Sequence, residues 1–228
     1  MIVTRPRDWA LVRAQIAELH ARRVFIMGCG QCATVTGTGG EKEVLAAKAR
    51  LEQEGVEVTG WSVGEVACHA NGQKAEVRKH VGEFSSADAV LVLARGAGVQ
   101  TTADLTEKPV TPGLESLFLG TVVRHGVFEE RCQMCGECVL DRTAGICPVT
   151  TCPKGLLNGP CGGMWNGMCE VLHDRECVHV RIRHRLAAQG RSLSAEPLPP
   201  KDHSKKLKPG SMDVRAPKRT RARQGEGE

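Results

Sequence analysis

Val24-Phe25-Ile26-Met27-Gly28-Cys29-Gly30-Gln31-Cys32 is the stretch from which the fold can be read. Its first four residues are apolar, and the run stops at a glycine. A short apolar run closed by a breaker predicts a buried strand. Downstream, Gly39 to Gly55 predicts a helix. Glu41, Lys42, Glu43, Lys48 and Arg50 can face solvent, while Val44, Leu45, Ala47, Ala49 and Leu51 supply the buried side. Gly55 suits its C-terminal cap. Val56 to Val63 starts with alternating Val56 and Val58 and predicts a second strand. Ala89 to Leu93, which Asp88 can begin, predicts a third. Strand–helix–strand order favours a small α/β domain with a parallel sheet, placed at residues 1–120.

Upstream, Trp9 to Ala21 sets Leu11, Val12, Ile16 and Leu19 at helical spacing. Residues 97–120 read as looser, with Thr101, Thr102, Pro109 and Pro112, and Val110-Thr111-Pro112-Gly113 predicts a turn. Beyond residue 120 the character changes. Residues 121–190 form an irregular Cys-rich module whose densest part runs from about Glu130 to His179. Gly145, Pro148, Pro153, Gly155, Gly159, Pro160, Gly162, Gly163 and Gly167 leave it little from which to build a core. Bound metal is expected to supply its order. His179 to Gln189 predicts a closing helix. From about residue 191 to 228 the chain is a basic tail, rich in Pro, Lys and Arg, expected to be disordered from Leu193 onward.

Charge follows the same division. Residues 201–223 hold nine Lys and Arg, and residues 201–228 hold four acids, Asp202, Asp213, Glu226 and Glu228. That surplus accounts for the whole net charge of +5, so residues 1–200 are formally neutral. Aromatics make up 3% of the chain and Tyr is absent. A neutral body with few stacking surfaces counts against nucleic-acid binding. No apolar run has the length of a signal peptide or a membrane span, so a cytoplasmic protein is expected.

Eleven cysteines are present, and eight of them fall between Cys132 and Cys177. In a reducing cytoplasm dense cysteine points to metal rather than disulfides. Cys132-Gln-Met-Cys135-Gly-Glu-Cys138 is C-x2-C-x2-C, the core of a loop that turns three thiolates toward one [4Fe-4S] cluster. Cys147-Pro148 and Cys152-Pro153 place proline directly after cysteine, a feature of ferredoxin loops. Cys161, Cys169 and Cys177 bring the set to eight, which matches two clusters with four thiolates each. The gap from Cys138 to Cys147 holds eight residues where a bacterial ferredoxin has three. Spacing therefore does not divide the ligands between clusters. Zinc is the competing reading, for one site or for the whole module, although four-cysteine zinc sites usually pair two C-x2-C knuckles.

Cys29 and Cys32 follow the first strand and Cys68 follows the second. Sites in α/β sheets gather beyond the carboxyl ends of strands. A third metal site from Cys29, Cys32 and Cys68 is thus a candidate, with His69 as a weak fourth ligand. The plainer reading makes Cys68 a small buried hydrophobe. Gly37-Thr38-Gly39-Gly40 lacks the spacing of a phosphate loop. It reads as a glycine-rich start to a helix whose N–H groups could donate to cluster sulfurs. His125, His173, His179 and His184 are scattered and read as surface or packing residues. No catalytic triad or carboxylate pair stands out.

The motifs together resemble a known family. Cys132-x2-Cys135-Gly-Glu-Cys138, Thr143-Ala-Gly-Ile-Cys147-Pro148, Asn158-Gly-Pro-Cys161-Gly-Gly and Gly167-Met-Cys169-Glu are similar to the small iron–sulfur (MetV-type) subunit of methylenetetrahydrofolate reductase. The same module occurs as a C-terminal Cys-rich domain of that enzyme. Gly28-Cys29-Gly-Gln-Cys32 and Thr38-Gly-Gly-Glu41-Lys-Glu-Val44 resemble the subunit's first domain. The resemblance spans about residues 20–180. It implies an accessory subunit of an oxidoreductase that relays electrons to or from the flavin of a separate catalytic barrel subunit. Flavin is expected on that partner only, since a barrel needs about 250 residues. Further electron-transfer proteins are candidate partners. The alternative is a zinc-stabilised assembly module of the same complex without redox activity. Some members of the family carry a further Cys at the position of Thr36, which implies an N-terminal site altered or lost here.

Overall fold

The computed structural model describes residues 1–206 and 209–214. The chain divides into two compact units, Met1–Gln133 and Met134–Glu228, each with its own hydrophobic core.

The N-terminal unit runs β1 (Ile2–Pro6), α1 (Trp9–Glu18), β2 (Arg23–Cys29), α2 (Cys32–Val35), α3 (Glu41–Gln53), β3 (Glu57–Gly64), α4 (Ala70–Lys79), α5 (Val81–Ser86), β4 (Ala89–Leu93), α6 (Gly96–Ala103), β5 (Val110–Pro112), β6 (Leu114–Arg124) and β7 (Val127–Cys132). Four strands form a parallel sheet in the order β3-β2-β4-β5. Val24, Phe25, Ile26 and Met27 of β2 and Val90, Leu91 and Val92 of β4 are wholly buried. Continuous apolar strands of this kind are what a parallel sheet covered on both faces requires. Burying each large side chain stabilises the unit by about 1.5–3 kcal/mol.

Capping fixes where the helices begin. Asp8 accepts from the Ala10 N–H at 3.0 Å to start α1. The Gly40 N–H donates to Glu43 Oε2 at 3.0 Å and starts α3, with Glu41 and Glu43 in its first turn and Arg50 in its last. Gly55 ends it with a φ of 81°, the left-handed cap expected there. The Trp9 indole donates to Glu54 at 3.1 Å and lies under the Arg50 guanidinium, joining α1 to α3.

The α/β reading of this unit holds, and its parallel sheet contains the three strands expected from sequence. A second sheet, antiparallel in the order β1-β6-β7, was not anticipated. The stretch 97–120, expected to be loose, contains most of α6, β5 and the start of β6. The turn expected at Val110–Gly113 is the short strand β5, with Gly113 separating it from β6. Thr111 is fully buried there, so sheet pairing with β4 outweighs the local turn chemistry of Pro112-Gly113.

The C-terminal unit contains α7 (Pro148–Thr151), α8 (Val178–Ala188) and a 3₁₀ turn at His203–Lys205. The closing helix is therefore present. The core of this unit is small: Ala144, Ile146, Val178, Ile182 and Leu186, with Cys152 packed against them. Most of the remaining backbone is turn. Parts of the segment expected to be disordered from Leu193 onward make hydrogen bonds back to this unit, at Glu196, Leu198 and Asp202. Residues 207, 208 and 215–228 of the basic tail lie outside the described residues. Among the described residues no helix is long and apolar enough to cross a membrane.

Candidate metal centres

In the N-terminal unit, three adjacent strands end near one another. Cys29 is the last residue of β2, paired with Gly64 at the end of β3, and Gly28 pairs with Leu93 at the end of β4. β3 and β4 flank β2 on opposite sides, so this edge is the sheet's topological switch point, where α/β proteins place ligands. Cys29 is buried there, Cys32 opens α2, and Cys68 follows β3. Arg95 follows β4 and donates from Nη2 to Cys68 Sγ at 2.6 Å. Burial pulls the Arg95 pKa down. The hydrogen bond to Cys68 and attraction to Cys68, Cys32 and Cys29 more than offset this, and the guanidinium is held above its ordinary value. Arg95 thus touches Cys68, and its positive charge favours the other two early cysteines as well.

Sequence reasoning missed Arg95. The signal was its position, since it follows the third apolar run as Cys29 and Cys68 follow the first two.

The neighbouring groups are otherwise engaged. Thr36 Oγ1, Thr4 Oγ1 and Thr38 Oγ1 form a closed triangle of hydrogen bonds at 2.7–2.9 Å. His69 Nδ1 accepts from the Gly72 N–H at 3.0 Å and caps α4. The N–H groups of Thr38 and Gly39 donate to the Ala33 carbonyl and that of Gly40 to Glu43, so they do not serve sulfurs or a phosphate. The glycines here permit close approach instead. A Cβ on Gly39 would lie 2.0 Å from the Leu93 carbonyl oxygen.

In the C-terminal unit, Cys152, Cys161, Cys169 and Cys177 line one pocket. Local structure aims each of them. Cys152 ends α7, and its N–H donates to Pro148 O at 2.9 Å. Cys161 follows the Gly159-Pro160 step. Cys169 N–H donates to Arg175 O at 2.9 Å, and Cys177 N–H to Gly167 O at 2.7 Å. Between Trp165 and Met168, Asn166 and Gly167 take φ of 47° and 79°, which closes a two-residue hairpin turn. Met164 and Leu172 add apolar wall.

Lys154 and Glu170, also lining the pocket, form an ion pair beside Cys161, whose Sγ lies 3.5 Å from Glu170 Oε2. The bond to Glu170 holds the Lys154 ammonium above its ordinary value, and the bond to Lys154 holds the Glu170 carboxyl below its own.

The other cysteines are placed as follows. Cys132 ends β7 at the close of the N-terminal unit. Cys135 and Cys138 open the C-terminal unit. Met134 and Gly136 flank Cys135 with φ of 53° and 80°, and Cys135 Sγ lies 3.6 Å from Glu137 O. Cys147 caps α7, with its Sγ 3.6 Å from Thr150 Oγ1.

Among the described residues, no three His, Cys, Asp or Glu side chains stand close enough to hold a single metal ion. A tetrahedral zinc with Zn–S of 2.3 Å requires sulfurs about 3.8 Å apart. A four-iron cube is wider and spaces its thiolates around a cavity rather than a point. His179 serves packing. Its Nε2 meets Leu156 O at 3.2 Å, and burial, partly opposed by that contact, pushes its pKa down.

No curated protein and no solved structure matches this chain. Residues 1–110 lie outside the family match. Residues 111–204, from within β5 to the 3₁₀ turn, match the family described as "Methylene-tetrahydrofolate reductase C terminal".

Proposed function

We propose that this chain is the iron–sulfur electron-transfer subunit of a heteromeric methylenetetrahydrofolate reductase, working with a flavin-bearing catalytic barrel on another chain. The observation that carries the reading is the convergence of Cys152, Cys161, Cys169 and Cys177 on one pocket inside the family-matched segment. Four thiols are the ligand demand of one cluster, and the pocket's lining fits such a group. A [4Fe-4S] cluster held there would supply one-electron transfer. Met164 and Leu172 add apolar surface to the pocket, and Lys154 places a positive charge beside Cys161.

The C-x2-C-x2-C spacing of Cys132, Cys135 and Cys138 supports a second cluster on sequence grounds, and Cys147 is the one cysteine of the block that remains for it once the pocket's four are set aside. Cys29, Cys32 and Cys68 are a third candidate set. Arg95 cannot ligate metal, because a guanidinium keeps its proton, but it can donate to a ligating sulfur. Flavin resides on the partner, and further electron-transfer proteins supply or drain the electrons. The cytoplasm is the fitting compartment, because it keeps such thiols reduced.

Anaerobic purification with iron, sulfide, zinc and flavin analysis tests the reading. It expects a brown protein that dithionite bleaches, with about four irons per cluster. Cys169→Ser should lower iron by about one cluster's worth. A colourless protein carrying zinc alone would overturn electron transfer and leave an assembly module.

A further inference from the structure

We propose that Asn158 and Glu137 are positioning residues that use the chain segment Glu196–Asp202 as a strap, locking the loops that carry Cys135, Cys138 and Cys161. The inference rests on the cluster reading above.

Its basis is a set of hydrogen bonds from that segment to the loops. Asn158 stands three residues before Cys161. Its side-chain amide pairs with both backbone groups of Leu198: Nδ2 donates to Leu198 O at 2.8 Å, and Oδ1 accepts from Leu198 N at 2.9 Å. This reproduces a strand pairing with a side chain. Glu137 lies between Cys135 and Cys138. Its Oε2 accepts from the Asp202 N–H at 2.7 Å, and its carbonyl accepts from Lys201 Nζ. The same carbonyl lies 3.6 Å from Cys135 Sγ. At the start of the segment Arg142 Nη2 donates to Glu196 O at 3.3 Å, and just before it Arg191 Nη2 donates to Asp141 O at 2.6 Å.

The chain running into the strap also walls a groove, which Leu193 to Leu198 line together with Leu157, Gly159 and Ile182. Gly159 is pressed against His179, and a Cβ there would fall 2.5 Å from the ring. The Asn158 loop is therefore gripped on one side by α8 and on the other by the strap.

The chemistry gives this a purpose. Loops with few apolar residues cannot hold thiols in place through packing alone. Tying Asn158 and Glu137 to one continuous segment fixes two cysteine loops that lie about 20 residues apart in sequence. A clamp of two hydrogen bonds is worth a factor of about ten to thirty in the closed-to-open equilibrium. Ligand exchange proceeds from the open form.

The test uses the full chain, loaded with iron. The readouts are the rate of iron loss to a ferrous chelator and the EPR spectrum of the reduced protein. Both Asn158→Ala and Glu137→Ala should bind iron to wild-type stoichiometry and broaden the signal. Asn158→Ala, which removes two bonds, should lose iron about ten to thirty times faster, and Glu137→Ala, whose carbonyl still accepts from Lys201, about five times faster. Glu137→Gln keeps an acceptor for the Asp202 N–H and should retain the wild-type rate. Equal rates in all four proteins overturn the strap.

Amide hydrogen exchange, read on the same chain without iron, separates this from failure of the cluster reading. The Leu198 and Asp202 N–H groups should be protected in the wild type, and Leu198 should lose protection in Asn158→Ala. Free exchange of both in the wild type overturns the proposal whether or not iron is bound.

Discussion

The two units solve the problem of holding a cysteine in place by different means. In the N-terminal unit, Cys29 ends a strand whose preceding residues Val24 to Met27 are wholly buried, and it inherits its position from a sheet that would stand without it. In the C-terminal unit, Cys152 packs against a core of only five residues, and Cys161 and Cys169 sit in turns. There the cysteines lie on structure that packing specifies weakly. The difference teaches that burial makes a site rigid in one half, while hydrogen-bonded turns and a bound group must do so in the other.

The strongest way to break this comparison is to remove the proposed clusters. Ferricyanide with EDTA should strip iron and leave the N-terminal unit folded. The C-terminal unit should lose protease resistance and the amide protection of its turns. Metal binding in small metal-organised domains is worth on the order of 10 kcal/mol, comparable to what burial of the few large core side chains supplies before the entropy of ordering the loops is subtracted. Equal persistence of both units would show that the turns carry the fold unaided.

Core truncation gives the next effect. Leu91→Ala in β4 removes a wholly buried side chain from the centre of the parallel sheet, where little can relax, and should cost about 4 kcal/mol. Ile182→Ala in α8 should cost about 2 kcal/mol, because its sparse surroundings can collapse around the change. Amide hydrogen exchange in rising urea resolves the two, read at the β4 amides for the first unit and at the α8 amides for the second.

Much of this contrast was legible in the residues. Val24–Met27 and Ala89–Leu93 announce buried strands because burial on both faces demands unbroken apolar runs. β1 and the β6–β7 hairpin were not legible. Ile2–Pro6 is short and half polar, and Leu114–Arg124 exposes Leu117, Val122 and Val123, so neither shows clean alternation. Their pairing is a tertiary outcome. In the candidate sites, the cysteine identities were plain, but the grouping of Cys152, Cys161, Cys169 and Cys177 was not. That grouping depends on the Asn166-Gly167 turn and on where α7 ends, both of which act over distances that spacing does not encode. Arg95 was hidden for a related reason, since nothing local marks an arginine as facing thiols.

Glycine substitutions sharpen the comparison at a finer scale. Gly39→Ala sets a Cβ against the Leu93 backbone carbonyl, which the sheet holds rigidly, and should cost about 3 kcal/mol. Gly159→Ala meets the His179 ring, the end of a side chain rather than backbone, and should cost about 1 kcal/mol. Gly162→Ala meets nothing within 4 Å and serves as the control. Thermal unfolding would order the three. A larger loss at Gly159 than at Gly39 would mean that the C-terminal unit is packed as tightly as the sheet.

The smallest effect lies at the surface of the sheet and depends on pH. Asp88 precedes β4, and its carboxylate accepts from the Arg23 guanidinium at 2.8 Å and from the Arg23 and Arg22 N–H groups at 2.9 and 3.1 Å. The Arg23 side-chain and backbone bonds hold its pKa below the ordinary 3.8. The folded state then binds fewer protons than the unfolded one between the two values, so stability rises with pH across that window. The contribution is fully present above the unfolded value and is lost as pH falls through the folded one. Asp88→Asn should therefore lower the urea midpoint of the N-terminal unit slightly at pH 6, and the gap should close below about pH 3.8 as the wild-type carboxylate protonates. The C-terminal transition, read at the α8 amides by hydrogen exchange, should not follow Asp88 at any pH. A shift there would mean that the two cores unfold as one, and the contrast between them would have to be redrawn.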